Sequence, residues 1–118
     1  MSDMGLLSSW VKLGTSICRE GSRFVISERR KTISFSLEEI VSIAGMRVNQ
    51  VTYDEDFLVF KKRDGSGVVV GELCRWFGEL EQEIHSLDGF PKNWRTEVER
   101  SPYRTQVVLW ERLHGSFE

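Results

Sequence analysis

The run "DEDFLVFKKRDGSGVVVGE", Asp54 to Glu72, leaves the chain few choices. Two stretches of β-branched and aromatic residues flank Asp64–Gly65, a pair that tolerates the positive φ of a tight hairpin turn. In the first stretch Phe57 and Val59 fall on one face, and Leu58 and Phe60 on the other. A strand apolar on both faces needs cover on both sides. The run is therefore read as an interior β-hairpin. The acids Asp54, Glu55 and Asp56 at its start are not a calcium loop, because Leu58 and Phe60 occupy positions that would have to ligate.

Shorter strands precede the hairpin. "RFVIS" puts Phe24 and Ile26 on one face, and "KTISF" does the same with Ile33 and Phe35. The charged "ERRK" between them reads as a turn. In "SLEEI", Ser36 and Glu39 are spaced for a capping box around one helical turn. "IVSIAGMRV" then returns to strand, with Gly45 a bulge or bend. Over residues 1–20, Leu6, Trp10, Leu13 and Ile17 recur at helical spacing. That predicts an N-terminal arm or short helix covering an edge of the main fold. Its polar side lacks the Lys and Arg of a membrane-surface helix.

After the hairpin, Leu73, Trp76, Phe77, Leu80, Ile84 and Leu87 make one apolar stripe, predicting a helix over Leu73–Leu87. Asp88–Gly89 ends it, "PKNWRTEV" is a second short helix behind Pro91, and "TQVVLWER" is a last strand. Residues 21–112 are expected to form a single α+β domain, with 113–118 a frayed tail. Its architecture would be an antiparallel, strongly bent sheet or partial barrel packed against one long amphipathic helix.

Bulk properties narrow the function. The 118 residues are 40% hydrophobic and 29% charged, with sixteen basic and eighteen acidic side chains and a net charge of −2. That balance gives no cationic field, so nucleic acid is not an expected partner. No stretch approaches the apolar length of a membrane span, and no basic start followed by an apolar run suggests a secretory leader. A cytoplasmic location is expected. Cys18 and Cys74 are free thiols or, alternatively, one disulfide. His85 and Cys74 lie about 16 Å apart along a helix axis, too far to pair. His85 can instead pair with Glu81. With no GxSxG elbow and no glycine-rich phosphate loop, neither an enzyme nor a cofactor or metal site is expected.

Two groups of residues remain as candidate binding surfaces. Arg29, Arg30 and Lys31 at one turn, and Lys61, Lys62 and Arg63 at another, could converge on an anion. Near the C-terminus, Trp94, Arg95, Tyr103 and Arg104 have the composition of an interface anchor. Glu79 and Glu83 look outward from the helix beside them. From Glu72 to Arg100 seven acids face four bases, a local net of −3 that suits a basic protein partner.

The order of pieces resembles the bacterial variants of the pleckstrin-homology-like fold: a hairpin, the "SLEEI" turn, the hairpin around Asp64–Gly65, then the amphipathic helix. The ending "GFPKNWRTEVERSPYRTQVVLWER" is similar to that of small bacterial proteins. The resemblance runs from Arg23 to Arg112 and rests on pattern and order. It implies a protein-binding role, such as a toxin-neutralising immunity protein. The alternative reading, drawn from the two basic turns, is a binder of an anionic ligand or phospholipid headgroup. In pleckstrin-homology domains the helix closes the chain, whereas here residues 88–112 follow it.

Overall fold

The expected hairpin forms. Asp54–Lys62 pairs antiparallel with Gly67–Gly71, and Gly65 takes a φ of +92° in the turn between them. The computed structural model describes residues 16–27, 32–49 and 52–112. In chain order these hold β1 (Ser16–Glu20), β2 (Arg23–Ser27), β3 (Thr32–Ser36) and a 3-10 turn (Leu37–Glu39). Then come β4 (Ile40–Asn49), β5 (Asp54–Lys62), β6 (Gly67–Gly71), α1 (Phe77–His85), α2 (Trp94–Glu99) and β7 (Val107–Glu111).

The chain is α+β, with two antiparallel sheets in place of one bent sheet. β1, β2 and β3 make a three-stranded sheet in that order, and β6, β5, β4 and β7 a four-stranded one. No closed barrel joins them among the described residues. The Ser36 hydroxyl accepts from Glu38 N–H and the Glu39 carboxylate accepts from Ser36 N–H, so the capping box is present. Arg23 hydrogen-bonds Glu39 and holds its carboxyl below the ordinary value.

One face of the larger sheet packs on the smaller. Phe24 and Ile26 from β2 and Phe35 from β3 meet Ile43, Leu58, Phe60, Val68 and Val70 in the main core. The Phe35 and Phe60 rings lie 5.1 Å apart, centroid to centroid. Phe77, Leu80 and Ile84 of α1, and Trp94 and Val98 of α2, close this core. β5 is interior, and Phe57 to Phe60 are all buried, as a strand apolar on both faces requires.

Three further expectations need correcting. Ser16–Glu20, placed in the arm by its helical spacing, is strand β1, because its alternating Ile17 fits against β2. Gly45 is no bulge: it pairs in register with Leu58, and a Cβ there would strike the Val98 methyl. It lets α2 sit directly on β4. The helix expected from Leu73 begins at Phe77. Before it, Leu73 N–H is taken by the Glu55 carboxylate, and Ile17 N–H donates to Arg75 O at 3.0 Å. Those contacts hold residues 73–76 out of helical geometry, and with them Leu73 and Trp76 turn outward. The strand after the helices, whose place the resemblance left open, pairs with β4 and forms an edge of the larger sheet. Arg112 fastens its end, donating to Leu37 O and Ile40 O.

Candidate functional site

At the start of β5 a run of acids meets two arginines from elsewhere in the chain. Glu55 and Asp56 are 2% and 1% exposed, so they are not the solvated turn charges that such residues usually are. Carboxylates so buried need partners. Asp56 faces Arg47 on β4, its register partner, with Nε to Oδ1 at 2.8 Å and Nη2 to Oδ2 at 3.1 Å. Arg47 also reaches Glu99 of α2 at 3.0 Å and Asp54 at 3.7 Å. The hydrogen bond to Asp56 raises the Arg47 guanidinium further above its ordinary value, against the opposite effect of burial. Glu55 accepts from Leu73 N–H, and its carboxylate fills the space a side chain at Gly71 would need.

The belt continues onto the helices. Asp56 N–H donates to Glu72 Oε2 at 3.1 Å, and Arg95 Nε donates to Glu72 Oε1 at 2.8 Å. Arg95 Nη1 then reaches Glu81 Oε2 at 2.6 Å, which also accepts from the Trp94 indole at 2.9 Å. Burial alone would raise the Glu81 carboxyl; hydrogen bonds from Arg95 and Trp94 outweigh it and hold it below its ordinary value. Burial would likewise lower Arg95, but Glu81 and Glu72 keep it raised. His85 Nε2 sits 3.6 Å from Glu81, the pairing its spacing suggested. These groups are locked together by hydrogen bonds and ion pairs, an arrangement that orders β4, β5, α1 and α2 relative to one another.

Beside the belt the surface turns apolar. Trp76 precedes α1 with φ +64° and is 55% exposed, its ring lying 4.9 Å under the Arg75 guanidinium. Leu73 is 47% exposed next to it. A left-handed backbone costs a bulky residue about 1–2 kcal/mol. At the other end of the belt Tyr103 is exposed, and its hydroxyl donates to Asp54 at 3.0 Å. Tyr53 is exposed beside Asp54. Strand rise puts Asp54 and Asp56 only about 7 Å apart. The Tyr103 hydroxyl on Asp54 and the Leu73 N–H on Glu55 both meet the start of β5, at neighbouring carboxylates that alternate between the two faces of the sheet.

The predicted surface residues divide. Trp94 is fully buried and anchors the core, with Arg95 stacked 4.6 Å over its ring; it cannot serve as an exposed interface anchor. Arg95 is committed to Glu72 and Glu81, and Glu83 to Arg19 at 2.6 Å. Tyr103, Arg104 and Glu79 are exposed, and Arg104 has a φ of +65°. The acidic surplus counted along the chain persists in space: Arg19 and Arg47 bring two positive charges from outside that segment, but Arg47 is shared with Asp54 and Asp56. In the basic group, Lys62 donates to Ser34 O and Arg63 to Glu38 O, so each gives one donor to a backbone carbonyl. Lys61 is exposed. Arg29, Arg30 and Lys31 lie outside the described residues, as do His114 and most of the expected arm. Cys18 is exposed and Cys74 buried, with no disulfide between them.

Sequence reasoning missed Arg47 as the hub and Trp76 as a surface residue. The adjacent pair Trp76–Phe77 held a clue, since neighbours on a helix point about 100° apart and only one can face the core squarely. No helix among the described residues is long and apolar enough to cross a membrane. No protein-family model, curated protein or solved structure matches the chain at a significant level.

Proposed function

We propose that this chain is a non-enzymatic protein-binding module, and that its partner sits on the surface formed by Leu73, Arg75 and Trp76. Trp76 carries the reading. Folding gains little from a tryptophan that is more than half exposed at a backbone position favouring glycine. Exposed Trp, Tyr and Arg beside a rigid framework are the usual source of interface binding energy. The ion-pair belt supplies that framework, and Tyr103 is a second exposed aromatic held on Asp54. The carboxylates best placed for chemistry are held by arginines and backbone N–H groups, which supports a structural role for them.

The pleckstrin-homology-like reading, and with it a bacterial immunity role that occludes a toxin, is part of this proposal. The succession of two antiparallel three-strand runs, β1–β3 and β4–β6, before α1 supports it. β7 remains its departure. The anionic-ligand reading has less support, because Lys62 and Arg63 already serve β3 and the 3-10 turn.

The test compares proteins co-purified at low salt by the wild-type chain with those held by Trp76→Ala and Lys61→Ala. Trp76→Ala should lose a partner that Lys61→Ala retains, with at least about 30-fold weaker affinity by calorimetry. Equal retention by Trp76→Ala, or no partner for the wild type, overturns the proposal.

A further inference from the structure

Every buried apolar residue of β1, β2, β3, α1 and α2 belongs to the core on one face of the four-stranded sheet. The opposite face is just as well buried. It carries Ala44, Met46 and Val48 from β4, Phe57 and Val59 from β5, and Val69 from β6. Buried Glu55 shares this face with Phe57 and Val59, by the alternation of a strand. Among the described residues, only β4, β5 and β6 contribute to this second cluster. On β7 the cover stops: Val108, the register partner of Ala44, is 61% exposed. The covered strip is thus three strands wide, about 10 Å, and about 14 Å long from Ala44 to Val48.

We propose that the occupant of this strip is the chain's own residues 1–15. Two observations select them. The first is content: residues 28–31 are Glu-Arg-Arg-Lys and residues 50–51 Gln-Val, whereas residues 1–15 carry Leu6, Leu7, Trp10, Val11 and Leu13. The second is the point of departure. Ser16 bridges Arg75, and two residues earlier Leu73 N–H donates to the Glu55 carboxylate at 3.3 Å. Residue 15 therefore joins the described fold at the corner where the covered face begins. Residues 113–118 leave from the far side of the sheet, after Arg112 donates to Val41 O, next to the one strand left bare. Fifteen residues reach about 22 Å as a helix and about 50 Å extended, so either suffices.

This moves the arm expected along an edge onto a whole sheet face. It gives the interior hairpin strand its second cover from within the same chain. With the segment removed, the strip is an apolar surface of the kind that draws other proteins.

The experiment uses the full chain with labelled methyl groups. Cross-relaxation should connect the Trp10 ring with methyls of Met46, Val59 or Val69. In Trp10→Asp, peroxide should oxidise Met46 at least about tenfold faster, as expected when a local cover opens. Trp76→Ala should leave that rate unchanged. Should Trp10→Asp fail to fold, the wild-type cross-peaks decide alone. The proposal is overturned if Trp10 shows no contact with the strip. Contacts to it from Leu113 or Phe117, or only from a second copy in an isotope-mixed sample, overturn it equally.

Discussion

Arg47 and Asp56 meet across β4 and β5 through two parallel hydrogen bonds of 2.8 and 3.1 Å, and the carboxylate lies at 1% exposure. Removing one partner of such a pair leaves an uncompensated buried group. Arg47→Met, which strands the buried Asp56 carboxylate, should therefore lower unfolding free energy by about 3 kcal/mol in urea titration. The double variant Arg47→Met with Asp56→Leu should recover a good part of that loss. A cost below about 0.5 kcal/mol for Arg47→Met would mean the pair is incidental to the fold.

Gly45 tests how α2 is seated. Its missing side chain is the space in which Val98 and Leu109 lie. Gly45→Ala should destabilise by about 1–3 kcal/mol, the usual cost of overpacking a core. Adding Val98→Ala should cost less than the sum of the two single changes, since the added methyl occupies the vacated volume. Strict additivity would place the strain elsewhere.

Trp76 separates folding from binding. Trp76→Gly relieves a left-handed backbone at about 1–2 kcal/mol while losing the partly covered ring and its stacking with Arg75. These effects nearly cancel. Thermal stability should stay within about 1 kcal/mol of wild type. Partner affinity should nevertheless fall by at least about 2 kcal/mol, or 30-fold. If stability collapses instead, Trp76 belongs to the core and the proposed surface loses its anchor.

The readable parts of this fold were those governed by local rules. Asp64–Gly65 and the doubly apolar β5 marked the hairpin, and Ser36 with Glu39 marked the capped turn, because each signal lies within a few residues. The helix start was misplaced because Leu73 and Trp76 fit the periodicity equally well inside or outside. What decided the matter were partners far along the chain, Glu55 for Leu73 N–H and Ser16 for Arg75. The belt was invisible for the same reason. Arg47 meets Glu99 across 52 residues, and a charge count along the sequence cannot register that neutralisation.

Glu81 makes the belt's electrostatics measurable. Its carboxyl titrates below the ordinary 4.5 in the folded chain, since the hydrogen bonds from Arg95 and Trp94 outweigh the effect of burial. A depressed carboxyl stabilises the fold fully above the unfolded pKa, and that contribution disappears as pH falls through the folded one. At pH 7, Glu81→Gln should be less stable than its parent by about 1–2 kcal/mol, the worth of charge-assisted hydrogen bonds at a partly buried site. Below pH 4.5 the gap should shrink steadily toward zero. Both proteins should carry His85→Gln, so that the imidazole 3.6 Å from Glu81 is absent from the comparison. A gap that stays constant from pH 7 to pH 3, or widens as the pH falls, would show that Glu81 gains nothing from its charge.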